Sequence, residues 1–242
     1  MILVTGATDG LGLAVARELV TQGREVAIHG RDRERGERAL EATGARALHL
    51  ADFARLDDVR RLAGEVGAVE LLVNNAGIGT TLPGDGQRMT SHDGHELRFQ
   101  VNYLAGYLLT NLLEPPHVVN VASAGQAPID FDDVMLTHGY SGTRAYAQSK
   151  LAQIMHAIDL AAGGTLANAL HPATYMPTKM VIHARGSAVS TLEEGVEATL
   201  AVIGRTDVSG RYFRGAHEDR AHEQAYDPEA RRRLRELSEA LI

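Results

Sequence analysis

The chain has no cysteine and no tryptophan, and aromatic residues make up only 5% of its 242 positions. Without cysteine there are no disulfides, thiolate metal sites or thiol nucleophiles, which suits a reducing cytoplasm. A basic excess is missing too: 24 Lys and Arg stand against 31 Asp and Glu, a formal net charge of −7. That balance argues against nucleic acid or an anionic membrane surface as a partner and favours small molecules or further copies of the chain. No apolar run approaches the roughly 18 residues of a spanning helix. The opening MILVTGAT enters an apolar strand without the basic and apolar regions of a signal peptide. A soluble, cytoplasmic protein is expected.

What is present is an alternation. ILVT (2–5), EVAIH (25–29), RALHL (46–50), VELLV (69–73), HVVNV (117–121) and LANAL (166–170) are short apolar runs, as parallel strands covered on both faces require. Between the first of them lie amphipathic stretches that close on Gly23, Gly44 and Gly67, where helix C-caps are wanted. The pattern predicts one α/β domain over 1–242, a Rossmann-type doubly wound parallel sheet with helices on both faces. Its ligands should bind beyond the carboxyl ends of the strands, near the switch point. Two irregular segments, 78–92 and 124–142, follow strand ends and are expected to frame the substrate.

TGATDGLG (5–12) follows the first strand and opens the first helix. Glycines there let backbone approach a pyrophosphate, and the amides and dipole of a helix N-terminus stabilise its charge. The spacing Gly6, Gly10, Gly12 differs from G-x-G-x-x-G. NNAG follows at 74–77, then Asn102 in FQVNYLAGYLLTNLL, Ser123 in VVNVAS, and Tyr146 and Lys150 in YAQSK. In that order and on those elements, the chain resembles the short-chain dehydrogenase/reductase family over nearly its whole length. DGHELRFQVNYLAGYLLTNLLEP, FDDV, GYSGTRAYAQSKLAQ and YDPEARRRLRELSEAL look most like the retinol-dehydrogenase and protochlorophyllide-reductase-like group. The long interval from Ser123 to Tyr146 is also typical of that group.

The resemblance implies a nicotinamide dinucleotide. It places Gly6, Thr8, Asp9, Gly10, Leu11 and Gly12 at the pyrophosphate side, Asp52 and Phe53 at the adenine, and Asn75, Ala76 and Gly77 along the cofactor. Asp52 reads equally well as a helix N-cap. An NAD site usually ends its second strand with an acid for the ribose 2′-OH; here Gly30 stands there and Arg31 follows. A guanidinium suits a 2′-phosphate, so NADP(H) is expected in preference, with NAD(H) possible and with Asp9 and Asp32 opposing phosphate if they point inward. After the sixth strand, relatives often carry Pro-Gly and a threonine that contacts the carboxamide. This chain has Pro172-Ala173, with Thr174 and Thr178 as candidates, inside a lid expected over about 171–190.

A tyrosine is a poor acid or base at neutral pH, and an ammonium one helical turn away lowers its pKa by favouring phenolate. Tyr146 with Lys150 would therefore exchange a proton with a carbonyl or alcohol oxygen, and Ser123 would hydrogen-bond that same oxygen. By family analogy Lys150 also holds the nicotinamide ribose and Asn102 positions a relaying water. Ser123 as a hydrolase nucleophile lacks a G-x-S-x-G elbow. Met176, Met180, Val181 and Ile182 lean toward a lipophilic substrate, although such residues are more often core.

Two rival readings keep the fold: a dinucleotide sensor without turnover, and reduction of a carbon–carbon double bond. A metal site at His92, His95 and Glu96 has no H-E-x-x-H arrangement behind it and is not expected. ARRRLRE (230–236) reads as an amphipathic terminal helix with a solvated arginine face. Relatives pair through helices corresponding to 95–113 and 143–162, which leaves a homo-oligomer open.

Overall fold

A computed structural model describes residues 1–80, 87–174, 176–177 and 189–242. Eight strands form one sheet in the order β3-β2-β1-β4-β5-β6-β7-β8. They are β1 (Ile2–Val4), β2 (Val26–Gly30), β3 (Ala47–Leu50), β4 (Leu71–Asn74), β5 (His117–Val121), β6 (Leu166–His171), β7 (Tyr212–Arg214) and β8 (His217–Asp219). Every pairing is parallel except β7 with β8. The first six match the apolar runs. The β7–β8 hairpin was not anticipated: YFR and HED are too short and too polar to show a period, and they meet across a turn at Gly215, which takes a positive φ of 61°.

Alternation within β1 sorts the helices into two layers. Ile2 and Val4 face Leu11, Val15 and Leu19 of α1 (Gly10–Thr21) and Val202 of α6 (Leu192–Ile203), with α2 (Arg33–Thr43) completing that side. Leu3 faces the other way, onto Val59 and Leu62 of α3 (Leu56–Val66) and Leu108 of α4 (Ala105–Leu113). The 21-residue α5 (Gly142–Ala162) lies on that second side, where Leu151, Ile154 and Met155 pack with Val118, Tyr212 and Leu234 of α7 (Pro228–Leu241). Leu234 is buried and Leu237 and Leu241 pack against the same cluster, so the arginine-rich terminal segment is an amphipathic helix.

Helix ends follow local chemistry. Asp9 Oδ1 caps α1 by accepting from the Gly10 amide, and Gly44 closes α2 in the left-handed region at φ 68°. The switch point lies between β1 and β4, where the chain leaves for β2 on one side and returns on the other. The glycine loop and NNAG leave the sheet there side by side. Among the described residues no helix is long and apolar enough to cross a membrane.

Candidate active site

The glycine loop is held by its neighbours rather than by its own contacts. Thr5 Oγ1 accepts from the amides of Asn75 and Ala76 at 3.0 Å each. Asn75 Nδ2 donates back to the carbonyls of Thr5 at 2.8 Å and Gly6 at 3.1 Å. This reciprocal lock leaves no room for side chains: a Cβ at Gly6 would lie 2.7 Å from Ala76 Cα, and one at Gly12 2.4 Å from Asn75 Nδ2. Gly6 and Gly10 also take positive φ values of 63° and 52°. The outcome is a turn without side chains at Gly6, Gly10 and Gly12 that leads into the N-terminus of α1, whose first-turn amides fit a pyrophosphate although Asp9 Oδ1 holds the Gly10 amide at 2.8 Å. Leu11 is buried in the core, so it can serve a ligand through its backbone only.

Of the two acids that would oppose a phosphate, Asp32 is turned to a helix cap, whereas Asp9 stays in the cleft with an arginine partner. Asp32 caps α2 through the Arg35 amide at 2.8 Å, and Asp9 accepts from Gly10 N while its second oxygen pairs with Arg35 at 3.2 Å. Thr8, Asp9, Arg35 and Arg38 line a cleft of about 220 Å³ between α1 and α2. At Gly30 a Cβ would lie 2.2 Å from Thr8 Cγ2, so an acid at that position would require Thr8 to move. Arg31 is exposed just beyond.

Asp52 is not a helix cap. Its Oδ1 accepts from Ala54 N at 3.0 Å, whereas α3 begins at Leu56, whose amide is taken by Asp93 Oδ2 at 3.0 Å from the loop before α4. Phe53 is buried, its ring stacked on His29 with centroids 4.2 Å apart. It therefore presents backbone, not a ring, toward an adenine.

At the other end the site rests on a buried polar chain. Asn74 Nδ2 donates to Asn120 Oδ1 at 2.9 Å across β4 and β5, Asn120 Nδ2 to the Gln153 carbonyl at 2.8 Å, and Gln153 Oε1 accepts from Lys150 Nζ at 2.8 Å. Lys150 Nζ donates its second bond to Val121 O at 2.9 Å and lies 5.6 Å from the centroid of the Tyr146 ring. Both acceptors are neutral, so burial pushes the Lys150 ammonium down to about 7. Its folded pKa thus lies below the unfolded value, and between about 7 and 10 the unfolded chain holds the extra proton. Stability from this group rises with pH across that window. The unfolding free energy of the wild type is expected to gain on that of Lys150→Met by about 1.4 kcal/mol per pH unit there, read from denaturant titrations at several pH values.

Asn102 sits in a π-helical turn, Phe99–Leu104, immediately before α4. Its Oδ1 accepts from Ile78 N at 2.7 Å, and its Nδ2 donates to Ile78 O at 3.2 Å and Ser149 Oγ at 2.9 Å. Both amide hydrogens and one lone pair of the oxygen thus tie Ile78, just after NNAG, to Ser149 of α5. Gly77 is the consequence: a Cβ there would lie 3.2 Å from Asn102 Oδ1 and 3.6 Å from Lys150 Nζ. Ser123, at the end of β5, is buried; its Oγ accepts from Gly125 N at 3.0 Å and its carbonyl from Tyr212 OH at 3.2 Å. The loop that follows reaches α5 through Ala127 N to Ala147 O at 3.4 Å. NNAG, Asn102, Lys150 and Tyr146 are brought together, and the segment after Ser123 docks on the turn that carries Tyr146.

The loop after β6 has Pro172-Ala173 where relatives often carry Pro-Gly. Pro172 is buried and Ala173 does not enter the left-handed region. Thr174 Oγ1 is hydrogen-bonded to His171 Nε2 at 3.0 Å. Burial, helped by Arg214 and Lys150, lowers the His171 pKa to about 4. Met176 is buried in the core beside α6, whereas Thr178, Met180, Val181 and Ile182 lie outside the described residues.

A second buried charge went unnoticed in the sequence. Arg98 and Glu96 are both fully buried, 3.8 Å apart. Arg98 donates to Gly79 O at 2.8 Å, Thr80 O at 2.8 Å and Tyr140 OH at 2.7 Å, and Glu96 accepts from Phe99 N at 2.7 Å. This clamp ties the two irregular segments to each other. His95 faces elsewhere, its Nε2 on Leu241 O at 3.0 Å.

Residues 1–185 match the short chain dehydrogenase family. The chain belongs to that family. Retinol dehydrogenase 13 from Homo sapiens is 32% identical, covering 100% of this chain and 84% of its own length. Polyprenol dehydrogenase from Mus musculus is 32% identical over 96% of this chain and 80% of its own. Among solved structures, an uncharacterized protein from Mycobacterium paratuberculosis superposes with a TM-score of 0.81 at 28% identity, covering 99% of this chain and 92% of that one. As a member of this family the protein is a dinucleotide-using oxidoreductase acting on a small molecule.

Proposed function

We propose that the protein interconverts a carbonyl and an alcohol on a lipophilic small molecule, with NADP(H) as the preferred dinucleotide and Tyr146 as acid/base. The observation that carries this reading is Tyr146 one helical turn before Lys150, whose Nζ lies 5.6 Å from the phenol ring beside Gly77 of the cofactor loop. Tyr146 donates its proton to the carbonyl oxygen, or accepts one from the alcohol in reverse. Lys150, charged below about 7, stabilises the phenolate that remains. Ser123 donates a hydrogen bond to the same substrate oxygen. Asn102 fastens the segment after NNAG beside Lys150, which would hold the nicotinamide ribose. The bound dinucleotide supplies or accepts the hydride.

Support for the lipophilic substrate comes from the names of relatives acting on retinol and polyprenol. Support for NADP(H) comes from the side-chain-free Gly30, exposed Arg31, Arg35 and Arg38 in the adjoining cleft, and the use of Asp32 as the cap of α2; Asp9 lines that cleft with its second oxygen paired to Arg35.

With no tryptophan in the chain, NADPH and NADH emission can be followed on binding with little protein background. NADPH is expected to bind at least tenfold more tightly than NADH, and Arg31→Ala to remove that preference, because a charge-assisted hydrogen bond contributes about 1.5–3 kcal/mol. Equal affinities in the wild type would overturn the Arg31 assignment.

A further inference from the structure

His29 stands in the middle of an apolar strand, buried between β1 and β3, and belongs to none of the family motifs in the sequence. Its imidazole has two definite jobs. Nδ1 receives the amide of Gly6 at 3.2 Å, and Nε2 meets the carbonyl of Ala51 at 3.0 Å. An N–H can only be received by an unprotonated nitrogen and a carbonyl only by a protonated one, so the ring is the neutral Nε2–H tautomer. Gly6 opens the glycine loop, and Ala51 leads directly to Asp52 and Phe53. The ring also lies flat on Phe53, 4.2 Å between centroids and 14° between planes. The His29 carbonyl accepts from Ala7 N at 2.9 Å, and the Gly30 carbonyl next to it from Ala51 N at 3.0 Å.

We infer that His29 is a positioning residue for the dinucleotide, a neutral imidazole strut that sets the pyrophosphate loop after β1 and the adenine loop after β3 at a fixed separation. The inference rests on the dinucleotide reading above. A ligand that engages both loops feels that separation; a ligand that engages one does not. Burial holds the ring neutral by pushing its pKa down to about 4; the bond to the Ala51 carbonyl acts against it, His49 on β3 acts in the same direction as burial, and Asp52 and Asp58 oppose it. A protonated ring would set a second N–H against the Gly6 amide.

The test uses His29→Phe, which keeps the stack on Phe53 and loses both hydrogen bonds, and His29→Asn, whose Oδ1 can stand where Nδ1 stood and accept from Gly6. Affinities for NADPH, which spans both loops, and for adenosine 2′-monophosphate, which spans only the adenine side, are measured on folded protein. His29→Phe is expected to weaken NADPH tenfold or more and adenosine 2′-monophosphate less than threefold. His29→Asn should fall between the wild type and His29→Phe for NADPH, and it carries the same comparison if the Phe variant does not fold. Nitrogen NMR of the wild-type ring should show the Nε2–H tautomer at neutral pH. Unchanged NADPH affinity in both variants, equal losses for the two ligands, or an Nδ1–H tautomer overturns the strut. A wild type that binds neither NADPH nor NADH overturns the dinucleotide reading itself, a different result from any of these.

Discussion

Tyr146→Phe is expected to lower turnover about a thousandfold while leaving NADPH affinity within about twofold of the wild type. The first number follows from the usual contribution of a positioned acid or base, about a hundredfold to ten-thousandfold. The second follows from the site's construction. The glycine loop is locked by Thr5 and Asn75, and Lys150 by Val121 and Gln153, none of which depends on the phenol oxygen. The ring is retained in phenylalanine, so the packing beside Lys150 is retained too. The checks are a steady-state assay with a lipophilic aldehyde or ketone and a fluorescence titration with NADPH. Turnover within tenfold of the wild type would remove Tyr146 from the chemistry. A parallel loss of NADPH binding would mean that the phenol builds the cofactor site instead.

Arg98→Met should lower the thermal midpoint by roughly 6–12 °C, the counterpart of about 3 kcal/mol in a chain of this size. The substitution keeps much of the volume and removes the only cation paired with Glu96 in the described residues. Burial already raises the Glu96 pKa, with Arg98 among the groups that oppose it, so losing the guanidinium drives the carboxyl further toward its neutral form. The carbonyls of Gly79 and Thr80 lose the Arg98 donor at the same time, and the hydroxyl of Tyr140 loses its bond from Arg98 while keeping the one it donates to Glu96 Oε1 at 3.2 Å. Adding Glu96→Gln to Arg98→Met should recover part of the loss, because it removes the stranded acid. Gly142→Ala offers an independent check: its Cβ would lie 2.3 Å from Thr80 O, at the same junction. A midpoint shift under about 2 °C in Arg98→Met would show that the two loops are held by something other than this clamp.

The family, the α/β class and the first six strands were legible along the chain. Parallel strands buried on both faces must be apolar throughout, so ILVT, EVAIH and HVVNV announce themselves. Gly6 and Gly10 are demanded by a left-handed backbone that other residues tolerate poorly, and Gly12 by the close approach of Asn75 Nδ2, so the three mark the tight turn after β1 in the sequence itself. The Tyr146–Lys150 spacing is likewise a local helical fact.

Contacts between distant segments were not legible. Asp52 could be a helix cap or an adenine contact from its neighbours alone; only the position of Asp93, 37 residues away from Leu56, showed that the cap of α3 comes from elsewhere. Asn102 was legible as a motif residue, but its bonds to Ile78 and Ser149 depend on a π-turn that no residue type signals. His29 and Arg98 carry no signal of their own along the chain, and Glu96 suggested only a metal ligand beside His92 and His95. Their roles exist only because folding brings Gly6 to Ala51 and residues 79–80 to Tyr140. Sequence determined what is governed by periodicity and backbone conformation, which act over a few residues. The tertiary structure decided where buried polar groups find partners, because a donor in a low-dielectric interior must be satisfied by whatever the fold brings near it, at any distance along the chain.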